Sequence, residues 1–108
     1  MKEKLSVLII AGNEEKNIKD CLESVAWADD IIVVDSESTD ATVAIAKNYT
    51  DKVFVNKWPG FSEQRKFALS KAQNDWVLSI DADERVSPEL KEEIIAIIKS
   101  GDNFDGYY

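Results

Sequence analysis

The sequence has no histidine and a single cysteine, Cys21. One thiol cannot close an internal disulfide, and without His or further Cys a structural zinc has no ligand set, so a reducing cytoplasm fits. Long apolar runs are missing as well. Met1-Lys2-Glu3-Lys4 leads into Leu5 to Ala11, which meets Asn13-Glu14-Glu15 without a small-residue cleavage site. Neither a signal peptide nor a transmembrane span is expected, and the stretch should be soluble. Positive charge is scarce: 13 basic against 21 acidic residues give a formal charge of −8. That balance opposes a broad basic surface for a polyphosphate backbone, so nucleic acid is not an expected partner. An acidic protein can still hold one phosphorylated ligand if a divalent cation sits between the two negative partners, so the placement of the acids outweighs their sum. With no internal repeat, low-complexity tract or linker, residues 1–108 read as one domain.

What is present is a hydrophobic fraction of 44%, with three Trp, four Phe and three Tyr, enough to bury a core without staples. Leu5 to Ile10 is a nearly continuous apolar run, the mark of a strand buried on both faces, and the turn Gly12-Asn13 follows. Asn13 is expected to cap a helix in which Glu14 and Glu15 favour the positive end and Ile18, Cys21, Leu22 and Val25 share one face. Cys21 then belongs to the core. Ile31 to Val34 makes a second buried strand, ended by Asp35-Ser36-Glu37-Ser38-Thr39-Asp40, whose hydroxyls suit a helix N-cap. An Ala-rich helix runs to about Asn48. Lys52 to Val55 is a short third strand, and Trp58-Pro59-Gly60-Phe61 a loop handing over at Ser62 to a helix ending near Ala72. Trp76 to Ile80 is the fourth strand. After Asp81-Ala82-Asp83-Glu84-Arg85, Ser87 caps a helix with Pro88 in its first turn and Leu90, Ile94, Ile97 and Ile98 facing inward. The order βαβαβαβα implies a doubly wound α/β fold, a mainly parallel sheet with helices on both faces. The final Asn103-Phe104-Asp105-Gly106-Tyr107-Tyr108 reads as a turn and the start of a strand, so the fold is expected to be truncated at the C-terminus.

In an open parallel sheet, ligands bind outside the carboxyl ends of the strands. Three polar clusters share that rim: Gly12-Asn13-Glu14, Asp35, and Asp81-Ala82-Asp83. If the chain stays extended past the fourth strand, Asp81 and Asp83 point the same way, roughly 6 to 7 Å apart at the backbone, while Ala82 points away. Two carboxylates suit Mg²⁺ or Mn²⁺, which take the rest of their shell from water and diphosphate oxygens. The plain alternative is that these acids solvate a loop. Asp35 either caps the following helix or accepts hydrogen bonds from a base or ribose. With Ser36 and Ser38 available as caps, its carboxylate is spare for a ligand. Asn13 and Glu14 are explained by capping or by a contact to a nucleotide. Arg65-Lys66 on the third helix matter if that helix borders a diphosphate, and the three Trp are read as packing residues.

The strand Leu5 to Ile10 with Asn13-Glu14-Glu15, the Ile31-Ile32-Val33-Val34-Asp35-Ser36-x-Ser38-Thr39-Asp40-x-Thr42 stretch, Trp58-x-Gly60-Phe61-x-x-Gln64-Arg65-x-Phe67-Ala68-Leu69, and Trp76-Val77-Leu78-x-Ile80-Asp81-Ala82-Asp83-Glu84 together resemble family 2 glycosyltransferases of the Rossmann-like GT-A fold. Within that family they look most like the lipopolysaccharide-core β-glucosyltransferase group. By position, the resemblance implies that Asp35 contacts the base, Asp81 the ribose region and the metal, and Asp83 the metal bridging the diphosphate. Asn13 and Glu14 fall where the base pocket is lined, and Arg65 where a basic residue approaches the pyrophosphate. Lys66 departs from the pattern, where Asn is common. The catalytic base of such enzymes lies well past the metal motif, so it is expected beyond residue 108. The implied partners are a UDP-sugar or another nucleoside-diphosphate sugar, with Mn²⁺ or Mg²⁺, and a saccharide or lipid-linked acceptor. The implied setting is the cytoplasm, or the cytoplasmic face of a membrane with which the parent protein associates peripherally. The implied reaction is metal-dependent and inverting, this stretch supplying donor binding without the base and so with little or no activity of its own.

Rival classes fare less well. A nucleotidyltransferase wants a Gly-rich basic loop after the first strand, where Ala11-Gly12-Asn13-Glu14-Glu15-Lys16 stands. A dinucleotide-binding oxidoreductase wants G-x-G-x-x-G, which is missing. A receiver-type signalling domain wants a phosphorylatable Asp after the third strand, which instead ends Val55-Asn56-Lys57. A non-catalytic nucleotide-binding α/β domain stays open at this point.

Overall fold

Because Leu5–Ala11 carries apolar side chains on both sides of its pleat, it can only be central, and all seven of its residues are buried. The computed structural model describes residues 4–100 and places this strand, β1, in a four-stranded sheet. The remaining elements are α1 (Ile18–Ser24), β2 (Asp30–Asp35), α2 (Thr42–Ala46), β3 (Val53–Val55), α3 (Phe61–Leu69), β4 (Trp76–Asp81) and α4 (Pro88–Ser100). The sheet order is β3-β2-β1-β4 and every pairing is parallel. The chain thus steps outward from β1 to β3, then crosses back to lay β4 on β1's other side. Ala11 pairs with Asp35 and Ile10 with Asp81, so the ends of β1, β2 and β4 stand level on one rim. This is the doubly wound α/β architecture that the strand–helix alternation implies. The terminal turn and strand expected at Asn103 to Tyr108 lie outside the described residues.

Alternation along the strands divides the core in two. Val7, Ile9, Val33 and Leu78 pack with Ile18, Cys21, Leu22 and Val25 of α1, Ala46 of α2, and Ile94 and Ile98 of α4. Leu8, Ile10, Ile32, Val34 and Val77 pack on the opposite face against Ala68, Phe67 and Leu69 of α3. Cys21 is fully buried, as its helical spacing requires. Truncating one such side chain, Ile9 or Leu22, to Ala would cost about 2–5 kcal/mol.

Element ends differ from expectation where a distant partner outcompetes a local one. Asn13 does not cap α1: it sits at φ 51, and the helix begins only at Ile18 behind Asn17, with no side-chain cap. The carbonyl oxygen of the Asn13 side chain instead accepts the Thr39 N–H at 2.9 Å. Ser36 and Ser38 do not cap α2 either. Ser36 donates to the Ala11 carbonyl at 3.3 Å and Ser38 to Asp35, while α2 starts behind Ala41 and Asp40 receives the Thr42 N–H at 3.0 Å. Helix α3 starts at Phe61 rather than Ser62, because Gly60 at φ 112 turns the chain into it, and it ends at Leu69 rather than Ala72. Ser87 does cap α4, accepting the Leu90 N–H at 3.1 Å.

Candidate functional site

The loops leaving β1 and β2 are laced together side chain to main chain. The Asn13 N–H donates to Ser38 Oγ at 2.7 Å, the Glu14 N–H to Thr42 Oγ1 at 2.9 Å, and the Glu15 N–H to Asp40 Oδ2 at 3.2 Å. In return Asn13 takes the Thr39 N–H, and Glu15 takes the Ala41 N–H at 3.3 Å. Asn13 and Glu14 are therefore the seam between two loops, and their residue types follow from that contact as well as from any ligand.

Asp35 ends β2 with no exposed surface. Its carboxylate receives the Ser38 N–H at 2.7 Å and the Ser38 hydroxyl at 2.5 Å. It is not spare, contrary to the expectation that the serines would free it: burial forces both oxygens to find partners, and Ser38 is the nearest. Ser38 Oγ thus donates a hydrogen bond to Asp35 while accepting one from the Asn13 N–H.

At the end of β4 the chain does not stay extended. Asp81 turns it at once, its carbonyl accepting the Glu84 N–H at 2.9 Å while the Glu84 carboxylate accepts the Asp81 N–H at 2.7 Å. The turn is driven by Ala82, which packs into the α1-side core with 1% exposure and donates its N–H to Ile10 O at 3.0 Å. Asp81 and Asp83 nevertheless line the same cavity, together with Ile10, Ala11, Gly12, Glu14, Ser36, Trp58 and Phe61. The cavity holds about 410 Å³ and opens on the carboxyl rim. That lies within the about 300–1,000 Å³ of small-molecule sites. Its floor at Gly12 is tight, since a Cβ there would stand 2.7 Å from Ser36 Oγ.

Burial pushes the Asp81 carboxyl above its ordinary value, the charge of Glu84 adds to this, Arg65 opposes it, and Asp83 and Glu14 contribute further in the raising direction. At Asp81 the charges of Glu84, Asp83 and Glu14 are thus set against that of Arg65. Among the described residues no three acids or sulfur ligands form a closed metal shell. Two carboxylates on an open cavity suit instead a hard cation that takes its other oxygens from a ligand. Arg65 is exposed, its guanidinium 5.8 Å from the Phe61 ring centroid, and Lys66 pairs with Glu63 at 3.5 Å on the outer face of α3.

The sequence reading missed Trp58 and Gln64. Trp58 is 45% exposed on the cavity wall, whereas Trp76 is buried at 7% as packing predicts. Gln64 is fully buried and clamps the β3–α3 loop, accepting from Asn56 Nδ2 at 2.8 Å and donating to Asn56 O at 3.2 Å. A polar residue on the inward side of a helix beginning with Phe61 is the signal that could have found it.

Compared with known proteins, residues 6–106 match the model of glycosyl transferase family 2. The chain belongs to that family. A Rickettsia conorii relative, an uncharacterized glycosyltransferase, is 48% identical over 93% of the chain, which covers 36% of that protein. The lipopolysaccharide core biosynthesis glycosyltransferase LpsC of Rhizobium meliloti is 35% identical over 95% of the chain and 40% of its own length. Among solved structures, S. aureus TarS 1-349 in complex with UDP superposes with a TM-score of 0.72 at 30% identity, covering 90% of this chain and 32% of that one. Glucosyl-3-phosphoglycerate synthase from Mycobacterium tuberculosis in complex with Mg²⁺ and UDP gives 0.67 at 27% identity, covering 77% and 35%. The family 2 chain thus spans about a third of the length of the curated relatives it matches. Its sheet is the Rossmann-like core of the GT-A fold. Among the described residues no helix is long and apolar enough to cross a membrane.

Proposed function

We propose that this chain supplies the donor half of a metal-dependent, inverting glycosyltransferase that takes a sugar from a UDP-sugar or another nucleoside-diphosphate sugar and releases the nucleoside diphosphate. The single observation carrying the reading is the cavity in which Asp81 and Asp83 meet the ends of β1 and β2. A UDP-bound relative and an Mg²⁺- and UDP-bound one share the fold, which supports a diphosphate held through a divalent cation. Asp83 and Asp81 would hold Mn²⁺ or Mg²⁺, and the cation would neutralise charge building on the departing diphosphate. Arg65 adds a second positive group on the same side. Asn13, Glu14 and Asp35 shape the base end, Asp35 by fixing the loop that Ser36 belongs to. Glu84 is engaged with the Asp81 main chain, which argues against it as the base that deprotonates a saccharide or lipid-linked acceptor. The parent then works in the cytoplasm or at the cytoplasmic membrane face. The likeness to LpsC favours a lipopolysaccharide-type acceptor.

Calorimetric titration with UDP tests this. Binding should tighten at least about tenfold when Mn²⁺ is added, and Asp83→Asn should abolish that gain while leaving the melting temperature nearly unchanged, because an exposed loop acid contributes little to stability. Undiminished Mn²⁺-dependent binding in Asp83→Asn would refute the metal assignment.

A further inference from the structure

Trp58 poses a physical problem that packing does not solve. Its indole lies in a loop fixed at both ends: Gln64 clamps Asn56 from a fully buried position, and the Gln64 N–H donates to Gly60 O at 3.0 Å. Phe61 meets the indole edge-to-face, centroids 4.8 Å apart at 88°, with Arg65 on the Phe61 ring. Two large aromatic side chains are thus held in place yet left 45% and 57% exposed, and both line the cavity. Exposed apolar surface ordered in this way marks a binding wall.

The sheet order says which part of a ligand meets it. Asp81 and Asp83 follow β4, at one end of the order β3-β2-β1-β4, while Trp58 follows β3, at the other. Both groups line one cavity with Ser36 beyond β2, so a nucleotide whose diphosphate is anchored by the acids can extend its nucleoside along the rim toward β2, against the Trp58–Phe61 wall. We propose that Trp58, oriented by Phe61, is the stacking wall for the base of the bound nucleotide. This rests on the diphosphate-sugar reading above. The face of an indole accepts any base, so Trp58 supplies affinity and leaves the choice of base to hydrogen bonds elsewhere on the rim.

Titrating UDP and inorganic pyrophosphate, both with Mn²⁺, into the wild-type chain, Trp58→Ala and Trp58→Phe tests the assignment. Trp58→Ala should weaken UDP by about tenfold, the loss of one base–aromatic stack, with pyrophosphate held within about twofold and Trp58→Phe recovering most of the UDP affinity. Unchanged UDP binding in Trp58→Ala would overturn the proposal, as would equal losses for both ligands. Wild-type protein that binds UDP no better than pyrophosphate would sink the stacking wall and leave the cation–diphosphate reading standing. Wild-type protein that binds neither would sink both.

Discussion

Asp35→Ala is the substitution in which the structure and the bare sequence disagree most sharply. Read from the sequence, the acid is spare for a ligand, and its loss should weaken nucleotide binding. In the structure its carboxylate is fully buried and takes two bonds from Ser38, at 2.7 and 2.5 Å. Each hydrogen bond to a charged group contributes about 1.5–3 kcal/mol, but removing a buried charge recovers some desolvation and Ser38 can turn toward water, so the net loss should be about 2–4 kcal/mol. That is a large share of the stability of a domain this size. With a urea m-value of about 1–3 kcal/mol/M, the midpoint should fall by about 1–2 M. Asp35→Asn keeps the shape and one acceptor and should lose about half as much. Ser38→Ala combined with Asp35→Ala should cost clearly less than the sum of the two, since they remove the same bonds. An unfolding midpoint for Asp35→Ala within about 0.3 M of wild type, together with weakened UDP, would refute the brace and return the carboxylate to the ligand.

Three further outcomes follow from the structure. Cys21 is fully buried, and burial first, then the charges of Glu84, Asp83 and Asp81, push its thiol up to about 12 from an ordinary 9.0. A disulfide-exchange reagent at pH 8 should therefore label the native chain at least about 100-fold more slowly than the urea-unfolded one, and comparable rates would contradict the burial. Between pH 9.0 and about 12 the unfolded thiol loses its proton and the folded one keeps it, so this contribution to stability falls as pH rises through that window. Relative to Cys21→Ala, wild type should lose up to about 1.4 kcal/mol per pH unit there. Glu84→Ala frees the Asp81 N–H, and because the site is exposed the loss should be only about 1 kcal/mol, a drop of about 4–8 °C in Tm, with Glu84→Gln losing less. Equal melting points for all three proteins would mean that Glu84 does not brace the turn.

The central strand was legible because a strand covered on both faces is nearly continuously apolar, and Leu5–Ala11 is apolar at every position but Ser6. The faces of α1 and α4 were legible from helical spacing alone. The loops were not, because Asn13–Ser38, Asn13–Thr39 and Glu14–Thr42 join residues 25 to 28 apart in sequence. Capping rules look three residues ahead, so they assigned these side chains to helices that begin elsewhere. The Asp81-Ala82-Asp83 pair was placed at the right rim by its position after a strand, yet for a different local reason. Ala82 is drawn into the core, and the turn it forces, rather than continued pleat, brings Asp83 to the cavity. Trp58 was read as packing because Trp usually packs, although its place in a Pro-Gly loop, as opposed to that of Trp76 at the start of a strand, already set the two apart; the structure leaves it 45% exposed.

The lacing of the first two loops also decides how an anion can be held. Many phosphate sites cradle their ligand with free main-chain amides. Here the amides of Asn13, Glu14, Glu15, Ser38, Thr39, Ala41 and Thr42 are all committed to side chains of this chain. A diphosphate arriving at this rim finds few donors and several carboxylates, so under the proposed reading it stays only while the cation stays. Nucleotide release then becomes a question of metal exchange, and a chelator should empty the site as fast as the ion can leave.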